Sequence, residues 1–148
     1  METIPLPNAQ LDTSSSTHAI LKIAGAVITA LDTWFFVATV VNLALRAFWP
    51  HYHDAEIAFN FTFAMKLARL VLGAISTLSA GFVAARIDKG RMIAAMLTGI
   101  VLLGLFIPGH YRIWDKFPVW YHLTFLVSLL PLTLLGAALN HRAGRKAL

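Results

Sequence analysis

The chain has 148 residues, 58% of them hydrophobic and only 13% charged, with a mean hydropathy of +0.71. That balance excludes an ordinary water-soluble domain and points to a membrane as solvent. The net charge of +5 comes without a basic face interleaved with aromatics, so nucleic acid is not an expected partner, and the lack of cysteine removes disulfides, thiolate metal sites and cysteine nucleophiles.

In chain order, residues 1–18, METIPLPNAQLDTSSSTH, are polar, carry two prolines and read as a flexible tail. The apolar run behind them is too long for a signal peptide and contains Asp32, so it is expected to stay as the first span. About 20 helical residues cross roughly 30 Å of hydrocarbon. Four stretches are long enough, at 23–45, 64–86, 92–108 and 117–139. The expected fold is an all-α antiparallel bundle of four transmembrane helices, one domain over residues 19–148.

Span 1 carries its costliest residue at Asp32, about 13 Å from the near end by the helical rise. An ionised carboxylate at that depth costs around 3 kcal/mol or more, so it must face protein or water. Gly25, Thr29, Phe36, Thr39 and Arg46 share its face, a small and polar stripe expected to turn inward. Next comes WPHYHDAE (49–56), where His51, His53 and Glu56 form a weak candidate metal site, with His110 and His122 near the same end of later spans. The spacing matches no recognised ligand signature, and a wet turn is the simpler reading. Asp54 before AEIAF suits a helix N-cap, which makes span 2 one long helix from about Ala55, with a break or tilt near Phe63.

Span 2 has two ladders of small residues, Gly73, Thr77 and Gly81, and Ser76, Ala80 and Ala84. Their four-residue spacing permits close backbone approach, and span 1 is the expected neighbour. Ser76 and Thr77 lie at the depth of Asp32, which predicts an intramembrane polar network of these three, while Arg69 is expected to snorkel outward. Span 3 is expected to stop at Pro108-Gly109. Span 4 opens near Pro118 and should kink at Pro131, which frees the carbonyl of Val127 for Ser128 to satisfy.

Seven of the twelve Lys and Arg residues fall on the side of the tail, the RIDKGR turn and the C-terminus, among them Arg142, Arg145 and Lys146. Both termini are therefore expected in the cytoplasm. Trp49, Tyr52, Tyr111, Trp114, Trp120 and Tyr121 gather at the opposite ends as an aromatic belt. None of the six histidines lies deep in a span, so bis-histidine haem is not expected, nor does any Ser-His-Asp spacing indicate a hydrolase.

The segments GAISTLSAGFVAARIDKGR (73–91) and WYHLTFLVSLLPLTLLGAALNHR (120–142) resemble uncharacterised small four-span bacterial inner-membrane proteins, over roughly residues 70–142. The resemblance implies the fold and the bacterial inner membrane, and brings no activity or site residues. The functional expectation is a non-enzymatic accessory or interaction subunit without cofactor, contacting the lipid bilayer and a membrane protein partner or its own copies. The alternatives are a small proton- or cation-coupled transporter centred on Asp32, and metal or haem binding by the outer histidines.

Overall fold

The computed structural model describes the backbone of residues 9–89 and 91–146, and the side chains of residues 16–89 and 91–144. Five α-helices and no strands occur among the described residues: α1 (Ala9–Phe48), α2 (Tyr52–Ala58), α3 (Phe63–Ile87), α4 (Ile93–Arg112) and α5 (Val119–Lys146). A 3₁₀ turn, Trp114–Lys116, joins α4 to α5. Among the described residues, four stretches are long and apolar enough to cross a membrane: Ser16–Phe48, Phe63–Ile87, Ile93–Arg112 and Val119–Gly144.

Several helix ends differ from expectation. α1 is helical from Ala9, because no Pro or Gly interrupts residues 9–24; the first eight residues of the expected tail lie outside the described ones. The single long second helix is two, separated at Phe59, whose φ of 52° is left-handed. α3 restarts where the Thr62 hydroxyl accepts from the Met65 N–H at 3.3 Å, an N-cap that satisfies one of the free donors of the first turn. Asp54 lies inside the first turn of α2, and His51, at φ 62°, precedes the helix.

Pro108 does not end α4, which continues to Arg112. The carbonyl left without its donor belongs to Gly104, where there is open space and no side chain to crowd the proline ring. Pro131 also lies within α5, but Ser128 bonds the Phe125 carbonyl at 2.8 Å and not that of Val127.

Packing is set by side-chain size. Around one end of the helices the core is alanine: Ala26 and Ala30 of α1, Ala80, Ala84 and Ala85 of α3, Ala94 and Ala95 of α4, and Ala137 of α5. Small residues let backbones approach. A Cβ on Gly81 would collide with the Thr133 backbone, and one on Gly136 with the Leu78 carbonyl. Gly73 faces the Phe125 ring. Gly73 meets α5 near its start, at Phe125, whereas Leu78 and Gly81 meet it further along, at Gly136 and Thr133, so α3 and α5 run side by side in the same direction. The ladder glycines of α3 therefore face α5, whereas span 1 was their expected neighbour. α1 packs on α3 as well, as the small-residue stripes led one to expect, and Thr77 of that ladder meets it through a hydrogen bond from Trp34 Nε1 at 3.0 Å.

At the other end, large residues hold the helices apart. Tyr52, Phe61, Met65, Phe117 and Tyr121 form a second core there. Tyr52 and Tyr121 are thus interior residues, while Tyr111, Trp114 and Trp120 remain exposed as a belt would require. The change from alanine to aromatic packing along the same helices leaves room for a cavity.

Candidate functional site

That cavity, about 390 Å³, lies between α1 and α4 and reaches inward to α3 and α5. Its floor is the contact of Trp34 with Phe106, ring centroids 4.6 Å apart. Arg69, Asn42 and His110 are among its polar lining residues, with Thr39 and Tyr121.

Over it lies a polar roof that joins three helices. Glu56 of α2 takes Arg46 of α1 at 2.6 Å, Asn42 Nδ2 at 3.2 Å and Arg69 Nη1 of α3 at 3.4 Å. The Tyr52 hydroxyl donates to Asn42 Oδ1 at 3.3 Å and accepts from Arg69 Nη1 at 3.3 Å. The Arg69 guanidinium also lies over the Phe61 ring, 4.7 Å from its centroid, an attraction strengthened where water is excluded. Burial alone would raise the Glu56 pKa, but the hydrogen bonds from Asn42 and Arg46 and the charges of Arg46 and Arg69 outweigh it, holding the carboxyl below its ordinary 4.5. Burial pushes the Tyr52 phenol up, with Arg69 pulling the other way.

Beside the roof, His110 Nδ1 and His122 Nδ1 are 2.8 Å apart. His122 Nε2 sits 3.3 Å from the Trp114 carbonyl. A carbonyl only accepts, so His122 Nε2 carries the proton; with both rings neutral, His122 Nδ1 is then the acceptor and His110 Nδ1 donates to it. His110 Nε2 is then an unprotonated acceptor, with no partner among the described residues. The pair is held by stacking, His122 on Trp114 at 4.6 Å and His110 on Phe125 at 4.7 Å.

The sequence placed five residues in a possible outer metal cluster, and the structure divides them three ways. His110 and His122 are buried as a pair. Glu56 is taken by arginines. His51, 87% exposed, is 3.5 Å from Asp54 on the surface, and His53 is exposed. Curling of residues 52–58 into α2 is the reason, since it turns the histidines out while Glu56 points in. Among the described residues no group of three or more His, Asp or Glu side chains is arranged to hold a metal.

The expected network of Asp32 with Ser76 and Thr77 is not formed. Ser76 and Thr77 are buried and bond to the carbonyls of Leu72 and Gly73 at 2.9 and 2.7 Å. Asp32 is exposed. The physical cause is the rotation of α1: Ala26, Ala30 and Trp34 form its inner face, and the stripe of Gly25, Thr29, Asp32, Phe36 and Thr39 turns outward. Ala80 and Ala84 are fully buried.

The roof and the histidine pair were not foreseen as units. One signal was present, the mirrored HYR and WYH on either side of the α4–α5 connection, since residues equidistant from a tight turn meet across a helical hairpin. Comparison of the chain with protein-family models, with curated proteins and with solved structures finds no match.

Proposed function

We propose that the four long helices cross a bacterial cytoplasmic membrane as an antiparallel bundle with both termini inside, and that the protein is a non-enzymatic accessory subunit that docks a transmembrane helix of a partner protein along α1. The position of Asp32 carries this reading. It lies at the midpoint of Ser16–Phe48 on an exposed face, where contact with lipid costs about 3 kcal/mol or more.

The shape of the face supports a helix as occupant. Gly25, Thr29, Asp32, Phe36 and Thr39 are all exposed and are spaced four, three, four and three, the repeat that keeps one seam against a supercoiled partner. A Cβ on Gly25 would meet nothing within 4 Å, so this stretch is open to close approach. α1 is also the least covered span: 17% of its most apolar window is buried, against 39, 33 and 28% in the others. Charge favours a different chain over a second copy, because a parallel pair of α1 helices sets Asp32 against Asp32. An unpaired acid fits a partner helix that offers a basic or hydroxyl side chain at the same depth. Nor does Asp32 line the cavity, which counts against a carrier built around it within one chain.

The test is a photoreactive residue at Thr29 in the full chain in its native membrane, with one at Val127, 70% exposed on α5, as control. A heteromeric adduct is expected from Thr29 and not from Val127, lost in Asp32→Leu and retained in part in Asp32→Asn. An adduct of two 16.3 kDa chains, or labelling of lipid alone, overturns the proposal.

A further inference from the structure

We infer that the cavity between α1 and α4 binds a flat, lipid-soluble molecule with a hydroxylated ring as its head, the phenol or hydroquinone class, entering sideways from the membrane. The exposed Phe35 and Gly109 belong to its lining and lie outside the seam proposed for the partner helix, so its mouth opens on the flank of the protein, facing what the membrane reading makes hydrocarbon. A volume of about 390 Å³ lies toward the lower end of ligand pockets, roughly 300–1,000 Å³. It suits a ring and the start of a tail better than a whole lipid.

The walls favour a ring. Trp34, Phe106, Phe125 and Tyr121 line the cavity, and Phe106 contacts two of the others, with centroids 4.6 Å apart for Trp34 and Phe106 and 5.1 Å for Phe106 and Phe125. Such surfaces take a flat π-system in offset or edge contact. The polar groups choose its head. His110 Nε2, without a proton and without a partner among the described residues, calls for a donor. Arg69, whose side chain is 30% exposed, supplies only donors and calls for an acceptor. A hydroxylated ring provides both at once. A saturated chain provides neither, and a carboxylate or phosphate brings negative charge against a histidine lone pair while Arg69 is already shared with Glu56. The inference needs the membrane setting of the proposed function but not the partner on α1, so either can fail alone.

The experiment is equilibrium binding to the full chain in lipid nanodiscs. The probes are a decyl-substituted benzohydroquinone kept reduced, its dimethyl ether, and palmitate. One hydroquinone per chain is expected, with the ether roughly tenfold weaker, the size of one lost hydrogen bond, and palmitate not retained. His110→Phe, which keeps a ring on Phe125, should weaken the hydroquinone by a similar factor and leave the ether unchanged. Gly109→Leu should abolish binding of both, because a Cβ there meets nothing within 4 Å and the side chain has room to fill the mouth. Equal binding of hydroquinone and ether, or a folded His110→Phe or Gly109→Leu that binds hydroquinone as the parent does, overturns the inference. Where His110→Phe does not fold, the ether and Gly109→Leu decide.

Discussion

Glu56 is held between guanidinium groups from two different helices, Arg46 of α1 and Arg69 of α3, so its charge ties the short α2 to both. A carboxyl whose folded pKa lies below its ordinary 4.5 contributes stability that is fully present above that value and is lost as pH falls through the lowered one. The unfolding temperature of the detergent-solubilised protein should therefore be insensitive to this group from neutral pH down to about 4.5 and fall below it. Glu56→Gln should flatten that acid limb and cost on the order of 1 kcal/mol at neutral pH, a modest figure because Arg46 is 39% exposed and solvent screens the pair. An unchanged acid limb in the variant would assign it to other carboxylates. In the sequence, Glu56 looked like a metal ligand because two histidines stand near it. Its true partners lie ten residues before it and thirteen after it, too far for any local pattern to join.

At the scale of elements, α3 and α5 share the tightest contact, and its residues are glycines set against backbone. Gly81 opposes the Thr133 backbone and Gly136 opposes Leu78, so neither neighbour can give way by turning a side chain. Gly81→Val should destabilise the purified chain by about 3 kcal/mol or prevent folding, at or beyond the upper end of overpacking. Gly25→Ala, where nothing lies within 4 Å, should not lower its unfolding temperature, since alanine is the better helix former; equal losses in both variants would mean that the close approach to α5 is not what the Gly81 substitution disturbs. The spacing of the α3 ladder was legible because small residues every four positions have one physical use in a membrane. Which helix they meet was not. Span 4 carries its own Gly136 in LLGAAL, and only the three-dimensional arrangement shows that the two glycine faces oppose each other. Likewise, the inner face of α1 could not be read from polarity. Lipid and protein interior are both apolar, so the rule that polar residues turn inward gave the opposite of what Ala26, Ala30 and Trp34 do.

For the molecule as a whole, the four apolar helices were plain from length and hydropathy, since crossing hydrocarbon demands a long run of apolar residues whatever the packing. Their ends were harder, because Pro108 continues a helix where Gly104 leaves room, and no composition rule weighs one residue against another four positions away. Orientation is a property of the whole chain and rests on the distribution of its Lys and Arg. It has a direct test, because the protein contains no cysteine and any introduced thiol is the sole target of a maleimide. His53 on α2 and Met92 before α4 are both exposed and lie at opposite ends of α3. In spheroplasts a membrane-impermeant maleimide should label His53→Cys at once and Met92→Cys only after permeabilisation. The reverse pattern would place the termini outside and reverse the orientation of the cavity and its polar roof. Labelling of both thiols without permeabilisation would show that α3 does not cross the membrane, and the proposed docking of a transmembrane helix on α1 would fail with it.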